Sequence, residues 1–331
     1  MWFSHAHIAA TSGYPGTVDG INISFRIKKV SDASTLPTSP QDYAFDLVAP
    51  TLTSASIASD NSNTSWAKSG DNITITLTAP SGSDGENLGT SDQWTTSIQG
   101  LGATVSGSGL VWTVSTTVST HPEGTVYFQI TYYDAYENSG TLLTAVVGNT
   151  SQVIIDKTPP NIAATILSND NANNTQYLAT TGDDVTLTIT ATDDDGGAET
   201  IQVPTVTIDG NTPTGSDLSV PASSYTAYRT MQASDTQGAV GFSITGIADR
   251  AGNTATNVTA VTSGSNVRFD SAVPIINALT VLSNNAIASN KATIGDVITI
   301  SFSSTGNESL QTPVVLIDGE AADEQQNGNA Y

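Results

Sequence analysis

Alternating apolar and polar residues are the dominant pattern in this sequence. Three stretches place apolar side chains at every second position, with Thr or Ser between them, and they follow Gly70-Asp71, Gly182-Asp183 and Gly295-Asp296. A two-residue period is typical of a β-strand that buries one face, and nowhere does the 3.6-residue period of an amphipathic helix emerge. The sequence therefore predicts an all-β fold of half-buried antiparallel strands.

Three short segments with a common order, an apolar residue, Asp, three residues and Pro, divide the chain. They occupy residues 45–50, 155–160 and 269–274, which puts the Asp residues at 46, 156 and 270, spaced by 110 and 114 positions. Proline fixes its own backbone and donates no hydrogen bond to a sheet, so these segments are predicted junctions between repeated units.

Other strands keep the same register in each unit. Val126, Phe128 and Ile130 match Val240, Phe242 and Ile244, and both sets match Ile23, Phe25 and Ile27. About seven short strands in roughly 110 residues are typical of a two-sheet immunoglobulin sandwich. The predicted fold is a series of tandem immunoglobulin-like Greek-key β-sandwiches arranged as an extended rod. The predicted units are the C-terminal part of a repeat at 1–46, complete repeats at 47–156 and 157–270, and the N-terminal part of a repeat at 271–331.

The two incomplete units together contain one whole repeat. Neither is expected to bury its apolar face alone, because a sandwich without half of its strands exposes hydrophobic edges. Two interpretations follow. The chain is a segment of a longer protein, or its C-terminal strands are completed by the N-terminal strands of the next copy, which gives a head-to-tail fibre by strand donation.

Charge narrows the range of partners. The chain has 31 acidic and nine basic residues, a formal net charge of −22, and no cysteine. Such a surface repels nucleic acid and anionic lipid, and disulfides cannot stabilise the fold. No apolar run is long enough to span a membrane, and the first residues lack a secretion signal, so a signal and an anchor are expected outside this chain.

Several repeated motifs resemble the bacterial immunoglobulin-like domains that occur in tandem in giant surface proteins and adhesins. These motifs are the Ser-Asn-Asp and Ser-Asn-Asn segments at 168–170 and 283–285, the strands after each Gly-Asp pair, and residues 204–210, 238–244, 249–253 and 269–270. The resemblance spans the chain, most closely over 157–331. It implies an extracellular rod, often stiffened by calcium, that projects a binding tip from a cell surface, and it implies no catalysis.

Calcium is the most plausible ligand, because it binds six to eight hard oxygen atoms from carboxylates, amides and carbonyls. An immunoglobulin-like topology would bring strand ends that carry such oxygens toward the junctions. The candidate ligands are Asp46, Asp134, Asp156, Asp249, Asn253 and Asp270. Their spacing matches no EF-hand loop, and the alternative is that they are ordinary turn residues that bond to their own backbone.

For the other candidate residues a structural role is expected more than a binding or catalytic one. The acidic run at 193–195 is expected to be a solvated turn, and His5 with His7 an exposed pair. Trp112 and Tyr225 occupy equivalent strand positions and are expected in the core. Trp66 and Trp94 lack counterparts and are the basis for a glycan-binding alternative. No nucleophile motif or phosphate-binding loop is present, so the chain is predicted not to be an enzyme.

The predicted function is mechanical: a stalk or adhesin segment of a secreted bacterial surface protein that holds a distal binding module away from the cell. Expected partners are flanking immunoglobulin-like repeats of the same protein, a cell-surface glycan or protein at the tip, and other copies of the chain in head-to-tail self-association. Two alternatives stay open: a carbohydrate-binding accessory module of a secreted enzyme, and the strand-donated fibre.

Overall fold

The computed structural model contains β-strands and connecting turns, which confirms the predicted all-β class. The residues that it describes are 23–24, 42–43, 48–81, 88–89, 93–135, 137–168, 176–304 and 312–323. Within these ranges there is no α-helix, and no helical segment has the length and apolar character needed to cross a membrane.

Residues before the first repeat contribute one short pair of strands, β1 (Ile23–Ser24) and β2 (Asp42–Tyr43). The two strands are antiparallel, with Ile23 opposite Tyr43. Asp46, the first junction residue, lies outside the described residues, as do His5 and His7.

The first repeat is an immunoglobulin-like β-sandwich of three small sheets. The strand orders are β3-β5-β9-β8, β11-β6-β7 and β10-β12-β4. The strands are β3 (Ser54–Ser59), β4 (Trp66–Ala67), β5 (Asn72–Thr78), β6 (Thr95–Ile98), β7 (Leu101–Gly102), β8 (Thr104–Ser108), β9 (Val111–Thr117), β10 (Gly124–Thr125), β11 (Phe128–Thr131) and β12 (Ile154–Ile155).

The core of the first repeat follows directly from the two-residue period of its strands. In β5, Ile73, Ile75 and Leu77 are fully buried, whereas the Thr residues between them are half-buried. Phe128 and Ile130 of β11 belong to the same core cluster. Burying such side chains stabilises the fold by about 1.5–3 kcal/mol each relative to the exposed state.

The second repeat uses the same pairings. Its sheets have the orders β13-β15-β18-β17, β16-β20 and β14-β21-β19. In both repeats an early strand pairs in parallel with the last one: Trp66 lies opposite Ile154, and Leu178 opposite Arg268. The strands are β13 (Asn161–Ser168), β14 (Leu178–Ala179), β15 (Asp184–Thr192), β16 (Thr205–Ile208), β17 (Gly215–Ser216), β18 (Ser224–Thr230), β19 (Gly238–Ala239), β20 (Phe242–Thr245) and β21 (Arg268–Phe269).

The third repeat contributes four described strands. β22 (Ile276–Ser283) pairs with β23 (Ile298–Ser304), and β24 (Leu316–Ile317) pairs with β25 (Glu320–Ala321). The turn between β24 and β25 has a positive φ at Asp318 and at Gly319, and the equivalent pairs, Gln99-Gly100 and Asp209-Gly210, share this geometry. Two consecutive positive φ angles are the requirement of a type I′ hairpin turn.

The described residues fall into two compact units by their contacts. One unit draws on residues 1–166, 187–228 and 241–264, and the other on residues 167–186, 229–240 and 265–331. The first unit contains the whole first repeat together with the segments of the second repeat that surround residue 249. The boundaries predicted at residues 46, 156 and 270 stay predictions.

Candidate functional site

The candidate site is built on a tight turn that follows β20. The carbonyl of Asp249 accepts the amide of Gly252, and the amide of Asp249 donates to the carbonyl of Asn253 at 3.1 Å. The side chain of Asp249 then accepts two bonds from Asn253, from its backbone amide at 2.9 Å and from its Nδ2 at 2.8 Å. These bonds hold a fully buried carboxylate in one orientation.

Asp156, in the junction segment that precedes the second repeat, lies beside the turn that contains Asp249 and Asn253. Its amide donates to the carbonyl of Ala67 at 2.9 Å, which fixes the backbone at the end of β12. The Nδ2 of Asn253 donates to the carbonyl of Asp156 at 3.0 Å. The structure therefore brings together three of the predicted ligands, Asp156, Asp249 and Asn253; their binding of calcium stays a prediction.

Glu199 completes the group, and no pattern in the sequence singled it out. One carboxylate oxygen from each of Asp156, Glu199 and Asp249 lies within 4.8 Å of the other two, and this is the one such group of three among the described residues. The residue lies just after the 193–197 loop, where its amide donates to the carbonyl of Ala191 at 3.0 Å.

A repeated signal in the sequence could have pointed to Glu199. Ile201 forms a bridge with Asp249, and Leu88 forms the equivalent bridge with Asp134. In both repeats a Glu precedes that aliphatic residue by two positions, and the third repeat has the same motif. The motifs are Glu86-Asn87-Leu88, Glu199-Thr200-Ile201 and Glu308-Ser309-Leu310.

The pKa values of two of these carboxylic acids are raised. Burial raises the pKa of Asp156 to about 6, with further contributions from the nearby carboxylates of Asp249, Glu123 and Asp194, against a hydrogen bond from Thr158. Burial also raises the pKa of Glu199 to about 7, and the charges of Asp156 and Asp249 add to the effect. The group therefore holds closely spaced like charges in a partly desolvated place.

This donor set fits a hard divalent cation. Calcium binds oxygen at 2.3–2.6 Å, so two oxygen atoms on one ion are at most about 5 Å apart. The three carboxylates satisfy that distance, and their mutual repulsion would be relieved by a cation between them. They would supply at least three oxygen ligands, with the remainder left to carbonyl groups and water.

Two further contacts join the first repeat to the turn of the second. The Nζ of Lys68 donates to the carbonyl of Gly252 at 2.7 Å. The Nδ2 of Asn61 donates to the carbonyl of Ala251 at 2.8 Å and also to the Asp71 carboxylate at 2.7 Å. The turn that presents Asp249 is therefore held by side chains of the preceding repeat.

Asp134 occupies the equivalent turn of the first repeat. Its carboxylate accepts the amide and the Nδ2 of Asn138, both at 2.9 Å, and the residue is 2 % exposed. Its predicted partner Asp46 lies outside the described residues. The turn therefore has the same hydrogen bonds and the same backbone conformation as the turn at Asp249, with Glu137 at a φ of 72° where the second repeat has Gly252 at 82°.

Asp270 repeats the backbone setting of Asp156 at the next junction. Its amide donates to the carbonyl of Ala179 at 2.9 Å, and its carboxylate accepts the amide of Ala272. Asp270 itself is exposed. No second carboxylate or His beside it forms a group of three among the described residues.

The remaining candidates separate clearly into surface and core residues. Asp193 closes its own loop by accepting the amide of Gly197 at 2.7 Å, as expected for a solvated turn. Trp112 and Tyr225 are buried, which confirms the core prediction. Trp94 is only 8 % exposed, and its ring centroid lies 5.2 Å from that of Trp112, so Trp94 belongs to the core and not to a glycan-binding surface.

Comparisons with known proteins give a likeness in structure. No family model and no curated protein matches the chain. Among solved structures it is similar to the fibronectin(III)-like modules of Clostridium thermocellum CbhA, with 16% sequence identity and a TM-score of 0.30, over 65% of this chain and 93% of that one. A similarity at this level does not carry a role from those modules to this chain.

Proposed function

We propose that this chain is a non-catalytic spacer segment of a secreted cell-surface protein, in which calcium stiffens the junction between consecutive repeats. The observation that carries the proposal is the carboxylate group of Asp156, Glu199 and Asp249, which joins the junction to the following repeat. A spacer works by holding its modules at fixed angles, and this position is where a cation would do so.

Direct contacts at the same junction support the proposal. Asn61 and Lys68 of the first repeat donate to two backbone carbonyls of the 249–253 turn, and Asn253 donates back to Asp156. A hydrogen bond from a charged group such as the Lys68 ammonium contributes about 1.5–3 kcal/mol when well formed. The cation would therefore add to a junction that protein groups already orient.

The glycan-binding alternative has lost part of its basis. Trp94 is buried in the core of the first repeat and cannot stack on a sugar there. Trp66 is half-buried in β4, opposite Ile154. A secreted spacer with an acidic surface is therefore the function that the described residues support better.

Calcium binding is tested by calorimetric titration and thermal unfolding of the full chain, in calcium and in chelator. We expect calcium to raise an unfolding midpoint. At a calcium concentration one hundred times the dissociation constant, binding stabilises the folded state by about 2.7 kcal/mol. Asp249→Asn should abolish this shift. Asp195→Asn, which removes an exposed carboxylate of the neighbouring loop, is the matched control and should preserve it. Equal midpoints in calcium and chelator would refute the calcium proposal.

Stiffening is tested separately by distance measurements between the two complete repeats. The chain has no cysteine, so Ser108→Cys and Ser216→Cys, both at exposed positions, give two specific dye sites. Single-molecule energy transfer should report a narrow distance distribution in calcium and a broader one in chelator. A distance distribution of the same width in calcium and in chelator would contradict the stiffening role, even if calcium binds.

A further inference from the structure

The first repeat has a cavity at a place that the second repeat fills with its own chain. The cavity has a volume of about 390 Å³, within the range of about 300–1,000 Å³ that is typical of ligand sites. It lies between the β8–β9 hairpin and the turn that holds Asp134. The residues that line it include Leu88, Gln93, Ser108, Trp112, Asp134 and Glu137.

A difference in loop length opens this cavity. Only two residues connect β8 to β9 in the first repeat, whereas residues 217–223 connect the equivalent strands β17 and β18 in the second. Ile201 occupies the position of Leu88, because each forms a bridge with the Asp of its turn, Asp249 or Asp134. The longer loop extends as far as Ile201, and the first repeat has no comparable loop to extend to Leu88.

The longer loop pairs with Ile201 as a neighbouring strand would. The amide of Ile201 donates to the carbonyl of Ala222 at 2.9 Å, and the amide of Ala222 donates to the carbonyl of Ile201 at 3.2 Å. The hydroxyl of Tyr225 contacts Ala222 and Val220 and so holds the loop in this position. Ile201 therefore has a backbone neighbour on each side, Ala222 on one and Asp249 on the other.

Leu88 has only the second of these neighbours among the described residues. The amide of Gly89 donates to the carbonyl of Tyr133 at 2.7 Å, so Leu88 and Asp134 form a non-hydrogen-bonded pair. The amide and carbonyl of Leu88 consequently point away from Asp134, toward the side where the second repeat has Ala222. Neither group bonds to another described residue, although Leu88 is only 4 % exposed. Buried backbone groups without partners are rare, so this edge indicates a binding position for another backbone.

We propose that this cavity binds an extended peptide of a partner protein, which pairs with Leu88 as residues 220–222 pair with Ile201. The peptide would exchange two backbone hydrogen bonds with Leu88, as in the addition of a strand to an open sheet edge. The preferred segment has the chemistry of residues 220–222: extended and uncharged, with a small side chain at the paired position. The carboxylates of Asp134 and Glu137 in the cavity wall disfavour acidic segments.

Trp112 explains why the first repeat needs an external segment. It occupies the strand position of Tyr225, but its Nε1 donates to the carbonyl of Gly109 at 3.1 Å, within its own hairpin. The ring therefore offers the cavity an apolar surface. Residues 217–223 of a second copy are not the expected ligand, because Tyr225 holds them in their own repeat. The inference does not depend on calcium binding at Asp156.

The test measures binding of a short peptide to the full chain. The probe has the sequence of residues 218–224, is blocked at both ends and carries a dye for fluorescence anisotropy. We expect saturable binding. An N-methyl group on the amide of residue 222 removes the donor to Leu88 and should weaken binding roughly tenfold. An N-methyl group on residue 223 is the matched control, because that amide bonds to no described residue in the second repeat.

Changes in the protein locate the site. Ala135 lines the cavity and is exposed, so Ala135→Trp should fill the cavity and weaken binding at least tenfold. Leu142→Trp, at a position 53 % exposed and outside the cavity lining, is the control and should preserve binding. Thermal unfolding checks that both variants fold. In NMR experiments the Leu88 amide should exchange with solvent more slowly when the peptide is bound.

Three results would each overturn the proposal. One is the absence of binding at millimolar peptide. Another is equal affinity for the peptides methylated at residues 222 and 223, which would mean that no backbone pairing occurs. The third is binding that Ala135→Trp leaves unchanged, because the peptide would then occupy another surface.

Discussion

At the scale of single residues, Tyr225 shows how a polar group can be buried in this fold without cost. It is 1 % exposed, and its hydroxyl accepts the amide of Ala222 at 2.8 Å. The hydroxyl also contacts the carbonyls of Ile201 and Val220 at 3.1 and 3.0 Å. The hydroxyl therefore accepts one backbone amide and shares its single proton between two backbone carbonyls of the loops around β18.

Removing that hydroxyl should destabilise the second repeat. Tyr225→Phe keeps the ring but removes the hydrogen bonds to the part-buried amide of Ala222 and to the carbonyls of Ile201 and Val220, which we expect to cost about 1–3 kcal/mol in total. Chemical denaturation followed by fluorescence measures the change. Tyr228→Phe, at a side chain that is 38 % exposed, is the control and should stay within about 0.5 kcal/mol. Equal effects of the two substitutions would contradict the role assigned to the Tyr225 hydroxyl.

His121 is a second buried polar residue, and its titration makes the first repeat sensitive to acid. Its Nδ1 accepts the amide of Ser119 at 3.2 Å, so the neutral ring can direct its Nε2 proton to Thr116. Burial lowers the pKa of His121 below its usual 6.5, and the Lys157 charge lowers it further.

The lowered pKa of His121 sets the direction of the pH effect. Below pH 6.5 the unfolded chain takes up a proton that the folded protein resists, so folding stability should fall as the pH drops through that value. His121→Asn should remove this part of the pH dependence. Unfolding midpoints between about pH 7.5 and pH 5.5 check the prediction, and an unchanged slope in the variant would exclude His121 as its source.

At the scale of elements, the turn after β20 depends on a glycine. Gly252 has a φ of 82°, a conformation in which a side chain is strained, and an added Cβ would lie 3.2 Å from Lys68 Nζ. Gly252→Ala should therefore cost about 1–2 kcal/mol and loosen the carboxylate of Asp249. Gly241→Ala is the matched control, because its φ is ordinary and no atom lies within 4 Å of its Cβ position. A stability loss as large in the control as in Gly252→Ala would argue against backbone strain.

Elements were predictable wherever a local pattern determines them. The alternation after each Gly-Asp pair predicts β5, β15 and β23, because a two-residue period has one structural meaning in a half-buried strand. Two residues, Asp249 and Asn253, were identified as candidate ligands because they are close in sequence and form a recognisable turn.

Glu199 could not be identified as a candidate ligand from its neighbours in sequence. It reaches Asp156 across 43 positions and Asp249 across 50, and only the completed sandwich makes these side chains neighbours. Trp94 illustrates the reverse error: its neighbours in sequence are polar, but Trp112 and Tyr132 surround it in space. A local pattern states which face of a strand is buried, whereas a site depends on which strands meet.

At the scale of the whole molecule, the net charge of −22 is least favourable to folding where carboxylates lie close together, as Asp156, Glu199 and Asp249 do. Asp156 and Glu199, with ordinary pKa values of 3.8 and 4.5, have folded-state values of about 6 and 7. Between about pH 4 and pH 7 the folded protein therefore holds protons that the unfolded chain has released. Stability from this group is present at low pH and is lost as the pH rises through the folded-state pKa values, the opposite sign to His121.

Calcium should reverse this dependence, because it neutralises the same carboxylates at high pH and competes with protons at low pH. In a His121→Asn background and in chelator, we expect the midpoint of the second repeat to rise from about pH 8 to pH 5.5. In saturating calcium the midpoint at pH 8 should rise and the slope should flatten or invert. Glu199→Gln should raise the midpoint in chelator at pH 8 and weaken the calcium response, whereas Asp195→Asn, in the exposed loop, should do neither. Identical pH slopes with and without calcium would mean that protons and calcium do not share these oxygens, and the cation would have to be sought elsewhere in the chain.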